Sequence, residues 1–306
     1  MKKLFVLLLL ISSVLSLSAQ RSEKYNGSLL WKVSGNGLKE ASYILGSHHL
    51  ASLSVLDNIK GLDKAQSETR QVAGELVLAD KTDLQNRMMQ RAMLPAGESY
   101  KTYLSEADYN KLDKDLKAIF GTGLDQMGVM HPGIISLSAS IMFYTKAFPD
   151  VNLMAHIAID EHMQKVANET GKTVIGLETV EDELTALFDA EPLKTQAEQL
   201  VCTISSLVNE KEKSIAQVKE LNNYYGEGNL VKMYDLSFNN PDDPCPSSEE
   251  AKNSILRDRN NKWLKQMPAI MKGKPTLFVV GALHLAGEEG LLYQLDKMGY
   301  KVEIVK

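Results

Sequence analysis

The sequence predicts an α/β fold of mixed (α+β) type: a central mixed sheet built from both chain ends and covered by a long helical middle region. Three observations predict it. Tyr43-Ile44-Leu45-Gly46-Ser47-His48-His49 and Val279-Val280-Gly281-Ala282-Leu283-His284 each carry an apolar run into Gly-x-x-His, which reads as a buried strand that turns at its end. Strand-like runs concentrate near the two ends, whereas the middle shows helical spacing and helix-start signals. The two histidines lie 235 residues apart, so the ends must meet if the pair shares a site. In sheets with helices on both faces, ligands bind at the carboxyl ends of the strands, where two such turns can present a pair of imidazoles.

The elements follow in order. Residues 1–20 read as an export signal: Lys2-Lys3, an apolar stretch from Leu4 to Leu15, then the small-residue segment Ser16-Leu17-Ser18-Ala19. The mature chain then begins near Gln20 or Arg21. Strands are expected over 28–33 and 41–45, joined by a turn at Ser34-Gly35-Asn36-Gly37. A helix over 55–67 and a strand over 71–77 come next. Helices over 82–93, 105–120 and 133–146 follow, with Ser105 as the N-cap of the second. A helix over 152–170 ends at Gly171, and a β-branched strand spans 173–176. Helical segments over 179–189, 193–208, 214–221, 230–236 and 248–267 lead to a strand over 276–280. A helix over 288–298 and a strand over 300–305 close the chain. The reading is one domain, 21–306, with a helical insertion over roughly 82–270.

Composition narrows the function. The formal charge of −5 becomes −7 once Lys2 and Lys3 are gone, and no basic block is present. This argues against nucleic acid and against docking on anionic lipid. No later apolar run reaches membrane-spanning length, so no span is expected after signal cleavage. No cysteine lies near the cut. The two cysteines, Cys202 and Cys245, suggest a disulfide in an exported protein. Closing their 43-residue loop would add roughly 3–4 kcal/mol.

Of the six histidines only His49 and His284 share a context. Imidazoles suit zinc and its neighbours, and a carboxylate is the natural third ligand. Glu75 is the first candidate, because an acid inside an apolar strand needs a partner. Glu178 and Asp160 are further candidates, and Arg259 is placed to neutralise acids or hold an oxyanion. Each also has a plainer reading. A histidine after a strand can be structural, Glu75 can sit at a sheet edge, Glu178 can complement a helix N-terminus, and Arg259 can be a surface cation. Among the others, His131 reads as a turn residue before Pro132. The methionines at helical spacing, such as Met88-Met89 and Met93, read as core.

The chain also resembles the TraB/PrgY/GumN family and, more distantly, the TIKI metalloproteases. The resemblance rests on Leu30-Trp31-Lys32-Val33, Tyr43 to His49, Glu75, Ile159-Asp160 and Val174-Ile175-Gly176-Leu177-Glu178-Thr179. It continues through Arg259-Asn260, Trp263, Val280 to Gly287, Leu291-Leu292 and Gly299 to Val302, and so covers the mature chain. Ser47 stands where the family usually has Thr. The resemblance implies a mixed α/β fold with two histidines and a glutamate in one cleft, a divalent metal, and in the TIKI branch peptide hydrolysis.

Together these observations lead to the expectation of an exported, periplasmic or secreted, metal-dependent hydrolase, with a peptidase as one form. His49, Glu75 and His284 would hold a divalent ion such as zinc, manganese or cobalt, and the ion would activate water. Glu178 would take the proton and Arg259 would stabilise the oxyanion. Gly46 and Gly281 would serve the strand-end turns. The alternatives are a non-catalytic binding protein for a peptide, metal or haem, and a scaffold whose histidines are structural.

Overall fold

The computed structural model describes residues 24–78 and 81–305. The expected signal segment lies outside the described residues. Strands β1 (Leu30–Gly35), β2 (Ser42–Ser47), β3 (Gln71–Gly74), β4 (Thr173–Gly176), β5 (Thr276–Gly281) and β6 (Tyr300–Ile304) form one sheet, ordered β4-β3-β5-β2-β1-β6. β1 pairs antiparallel with β2 and with β6. The other pairs, β2 with β5, β5 with β3 and β3 with β4, are parallel. The sheet is mixed and draws on both chain ends, as expected, with β4 contributed from the middle.

The β1–β2 hairpin turns where the sequence places it. Gly35, Asn36 and Gly37 all have positive φ, which Gly and Asn adopt most cheaply. β2 and β5, paired in the parallel part of the sheet, read as nearly continuous apolar runs because that part is buried on both faces. All six residues of β2 are buried.

The helices that bear on the site are α1 (Leu62–Glu68), α2 (Lys81–Arg91), α3 (Glu106–Phe120), α4 (Pro132–Ala147), α5 (Ile159–Glu169), α6 (Val180–Phe188), α7 (Leu193–Asn209), α8 (Lys211–Gly226), α9 (Leu230–Phe238), α10 (Arg259–Leu264) and α11 (Leu291–Lys297). Among the described residues no helix is long and apolar enough to cross a membrane. Hydrophobic residues gather in two clusters. One packs around the sheet, with Trp31, Tyr43, Phe278 and Trp263 at its centre. The other lies among the middle helices, around Leu112, Leu116, Ile135 and Ile204.

Several boundaries differ from the expectation, each for a local reason. The helix expected over 55–67 is a 3-10 turn, Leu53–Asn58, then α1, separated at Gly61 with φ 75°. The helix expected over 152–170 begins only at Ile159. The Asn152 side chain accepts from Met154 N–H and holds a turn instead. The strand expected over 71–77 stops at Gly74, so Glu75 follows the strand rather than lying within it. The helix expected over 248–267 is helical from Glu249 but passes through a π-helical stretch, Asn253–Asp258, before α10. Cys202 and Cys245 meet with Cα atoms 5.8 Å apart, the separation of a disulfide.

Candidate active site

β2, β3, β4 and β5 are adjacent and parallel, so their carboxyl ends share one edge of the sheet. Each delivers a residue singled out in the sequence. His49 lies two residues beyond β2, Glu75 directly after β3, Glu178 two beyond β4, and His284 three beyond β5. Arg259 enters as the first residue of α10, straight after the π-helical stretch, a feature common at functional sites.

Arg259 ties three of these residues together. Its Nε donates to both oxygens of Glu178, at 3.0 and 3.2 Å, and its Nη2 donates to Glu178 Oε1 as well. Nη2 also donates to Glu75 Oε2 at 2.5 Å. Nη1 lies 3.2 Å from His284 Nε2. The guanidinium has five N–H groups, so one Nη1–H has no partner among the described residues. Burial opposes the charge, but Glu75 and Glu178 hold Arg259 protonated well above its usual range.

Trp263, one turn further along α10, forms a wall. Its Nε1 donates to Glu178 Oε2 at 3.1 Å, and its ring lies 5.0 Å from Arg259 Cζ and 4.4 Å from the His284 ring. Asn260 sets the state of His284. Its Nδ2 donates to the carbonyls of His284 and Glu289, at 3.1 and 2.8 Å, which turns Oδ1 toward His284 Nδ1 at 2.8 Å. Nδ1 therefore carries the proton and Nε2 accepts from Arg259. Burial, with Arg259 beside it, lowers the His284 pKa to about 4, so this imidazole is neutral at pH 7.

Glu75 is held on both oxygens, Oε2 by Arg259 and Oε1 by the Gly281 N–H at 2.6 Å. Against its burial, neighbouring His284, Arg259 and His49 and the Gly281 N–H bring it down to about 2. The loop that follows it is pinned by Gln164, which donates to Leu76 O and accepts from Leu78 N–H. Gly74 makes room for that side chain: a Cβ there would lie 2.4 Å from Gln164 Nε2.

His49 stands apart at the rim. Its side chain is 63% exposed, with Nδ1 3.4 Å from Asp160 Oδ1. Asp160 outweighs desolvation and pushes the imidazole up to about 9. The His49 carbonyl accepts from His156 Nε2 at 2.6 Å. Neighbouring His48 turns away and packs between Tyr225 and Tyr144.

The sequence reading passed over Glu183. It lies in the first turn of α6, half-buried, and its carboxyl has no hydrogen bond among the described residues. Burial and nearby Glu75 raise its pKa to about 7, and its charge is felt by Arg259 and His49. Acids in a first helical turn are ordinary, so Glu181, Asp182 and Glu183 look alike in sequence. Asn260 and Trp263 were visible only as motif residues.

His49, Glu75 and His284 are chemically suited to a divalent ion, but as placed they do not fit one. Glu75 Oε2 and His284 Nε2 both face the Arg259 guanidinium. Among the described residues no three His, Cys, Asp or Glu side chains converge as a ligand set. What the arrangement offers directly is a fixed buried cation with one spare donor, a carboxyl poised near neutrality, and a charged imidazole at the rim. A model of the TraB/PrgY/gumN family matches residues 29–304. No curated protein and no solved structure matches the chain.

Proposed function

The chain belongs to the TraB/PrgY/gumN family, and from that premise we propose that the strand-end site hydrolyses an ester or amide bond. The observation that carries this reading is a rigidly held Arg259 with one spare Nη1–H, together with Glu183, whose carboxyl has no hydrogen bond among the described residues and whose charge Arg259 feels. Glu183 takes a proton from water as the hydroxyl adds to the carbonyl carbon. The carbonyl oxygen becomes an anion, which Arg259 stabilises from a site already organised for charge. The intermediate then expels its leaving group, which takes a proton from His49, kept charged by Asp160. Glu178 accepts from Arg259 and Trp263, and its side chain is fully buried. Its part is therefore to position Arg259 rather than to take the proton. Glu75 and His284 act in the same way.

The test is turnover of a panel of p-nitrophenyl esters and fluorogenic peptides by the mature chain and by Glu183→Gln. The wild type should hydrolyse a member of the panel. The variant should lose roughly 10²–10⁴-fold in rate, along with the limb of the pH profile near 7. Binding without turnover by the wild type would replace the hydrolase with a binding protein.

A second, metal-dependent reading rests on the donor types alone and requires Arg259 to leave Glu75 Oε2 and His284 Nε2, the two atoms it now faces. His49, Glu75 and His284 would then hold zinc, manganese or cobalt. Elemental analysis of protein purified without chelator tests this. About one ion per chain, lost in the His49→Ala/His284→Ala variant, supports it; equal content in both counts against it. Export is part of the proposal, because the Cys202–Cys245 pair would stay bridged in an oxidising compartment.

A further inference from the structure

A cavity of about 580 Å³ lies among the helices, and none of the strand-end site residues lines it. Its volume falls in the range of small-molecule sites. Met93, Leu94, Phe188 and Leu193 give it an apolar lining, and His131 supplies a polar point. His131 is the N-cap of α4 and is only 6% exposed. Its Nδ1 accepts from Gly133 N–H at 3.1 Å, so the ring proton sits on Nε2. That N–H has no hydrogen-bond partner among the described residues and is not sealed from solvent, so a ligand in the cavity can reach it. The Phe188 ring meets the imidazole edge-on at 5.1 Å and holds its orientation.

Arg91, Asp189 and Glu191 are the charged residues that line the cavity, so its wall carries more negative than positive charge. Arg91 pairs with Asp189 and with Glu181, each at 2.5 Å. An anion would have to compete with two carboxylates for that guanidinium, whereas a neutral acceptor need only meet the His131 N–H. Burial, reinforced by Arg91 and opposed by Asp189, lowers the His131 pKa and keeps the ring in the neutral, single-donor form.

We propose that this cavity binds a small neutral molecule with an apolar body and one carbonyl acceptor, which takes the hydrogen bond from His131 Nε2. The helix that supplies Phe188, α6, also carries Glu183, so the two sites share one rigid element.

N-phenylacetamide is a suitable probe, titrated into the full chain with the imidazole ¹⁵N shift of His131 and saturation-transfer NMR as readouts. A saturable shift of His131 Nε2 is expected. His131→Asn keeps a cap acceptor for Gly133 but removes the ring donor, and should weaken binding about tenfold, the equivalent of one hydrogen bond. Leu193→Trp fills the cavity and should abolish binding. No saturable response in the wild type, as when the cavity holds water only, overturns the proposal. So does either folded variant binding the probe as tightly as wild type.

Discussion

Four of the five N–H groups of Arg259 are taken by Glu75, Glu178 and His284, and its side chain is 9% exposed. Removing one partner from such a buried network leaves uncompensated charge, which is why these residues act as a unit. The network also makes stability depend on pH. The folded pKa of His284 is lowered to about 4 by burial, so between about 6.5 and 4 the unfolded chain binds more protons and stability falls with pH. His48, also lowered to about 4 by burial, contributes over the same window. Glu75, held at about 2 against its burial, contributes stability above about 4.5 that is lost as pH falls further. Urea unfolding measured from pH 6.5 to pH 3 should show this decline, partly offset down to about 4.5 by Glu183, whose pKa raised to about 7 adds stability as pH falls. His284→Asn, whose amide can replace the contact to Asn260, should reduce the slope between 6.5 and 4. An unchanged slope would assign the effect to other groups.

At the scale of elements, the two Gly-x-x-His motifs are not symmetric. Neither glycine has positive φ, so neither is there for a left-handed turn. Gly46 lies within β2 against the turn that carries His284. A Cβ on it would sit 3.1 Å from Ala282 Cα, Ala282 Cβ and Leu285 Cδ1. Gly281 has only ordinary contacts, 3.4 Å to Glu75 Oε1 and 3.5 Å to His284 Cδ2. Gly46→Ala should therefore cost about 1–3 kcal/mol by overpacking against backbone that cannot yield. Gly281→Ala should cost less. Equal urea midpoints for the two variants would contradict this account of the motif. The Gly was legible as a motif position, but its reason was not, because the crowding comes from a segment more than 230 residues away.

At the scale of the whole molecule, the disulfide ties the approach to α10 onto α7. Cys245 lies in the loop before the helical run that leads into Arg259, and Gln199 Nε2 donates to the Cys245 carbonyl at 2.7 Å. Cys202→Ser/Cys245→Ser should lose roughly 3–4 kcal/mol, the loop-closure entropy of cysteines separated by 43 positions. A wild type equally stable with and without reductant would show that packing alone holds this loop. The sequence by itself determined the class of fold, the sheet built from both ends, the hairpin turn, most helix positions and the candidates His49, Glu75, Glu178, Arg259 and His284. These are written in local signals: apolar period, caps, glycines and the spacing of a motif. The tertiary structure alone decided that Arg259 is the cation facing Glu75, Glu178 and His284, that Asn260 selects the His284 tautomer, and that Glu183 lies near them with no hydrogen bond among the described residues. Those outcomes depend on which side chains meet across the end of the sheet. No residue carries that information in its own neighbourhood, because hydrogen-bond partners and pKa values are set by contacts between segments far apart in the chain.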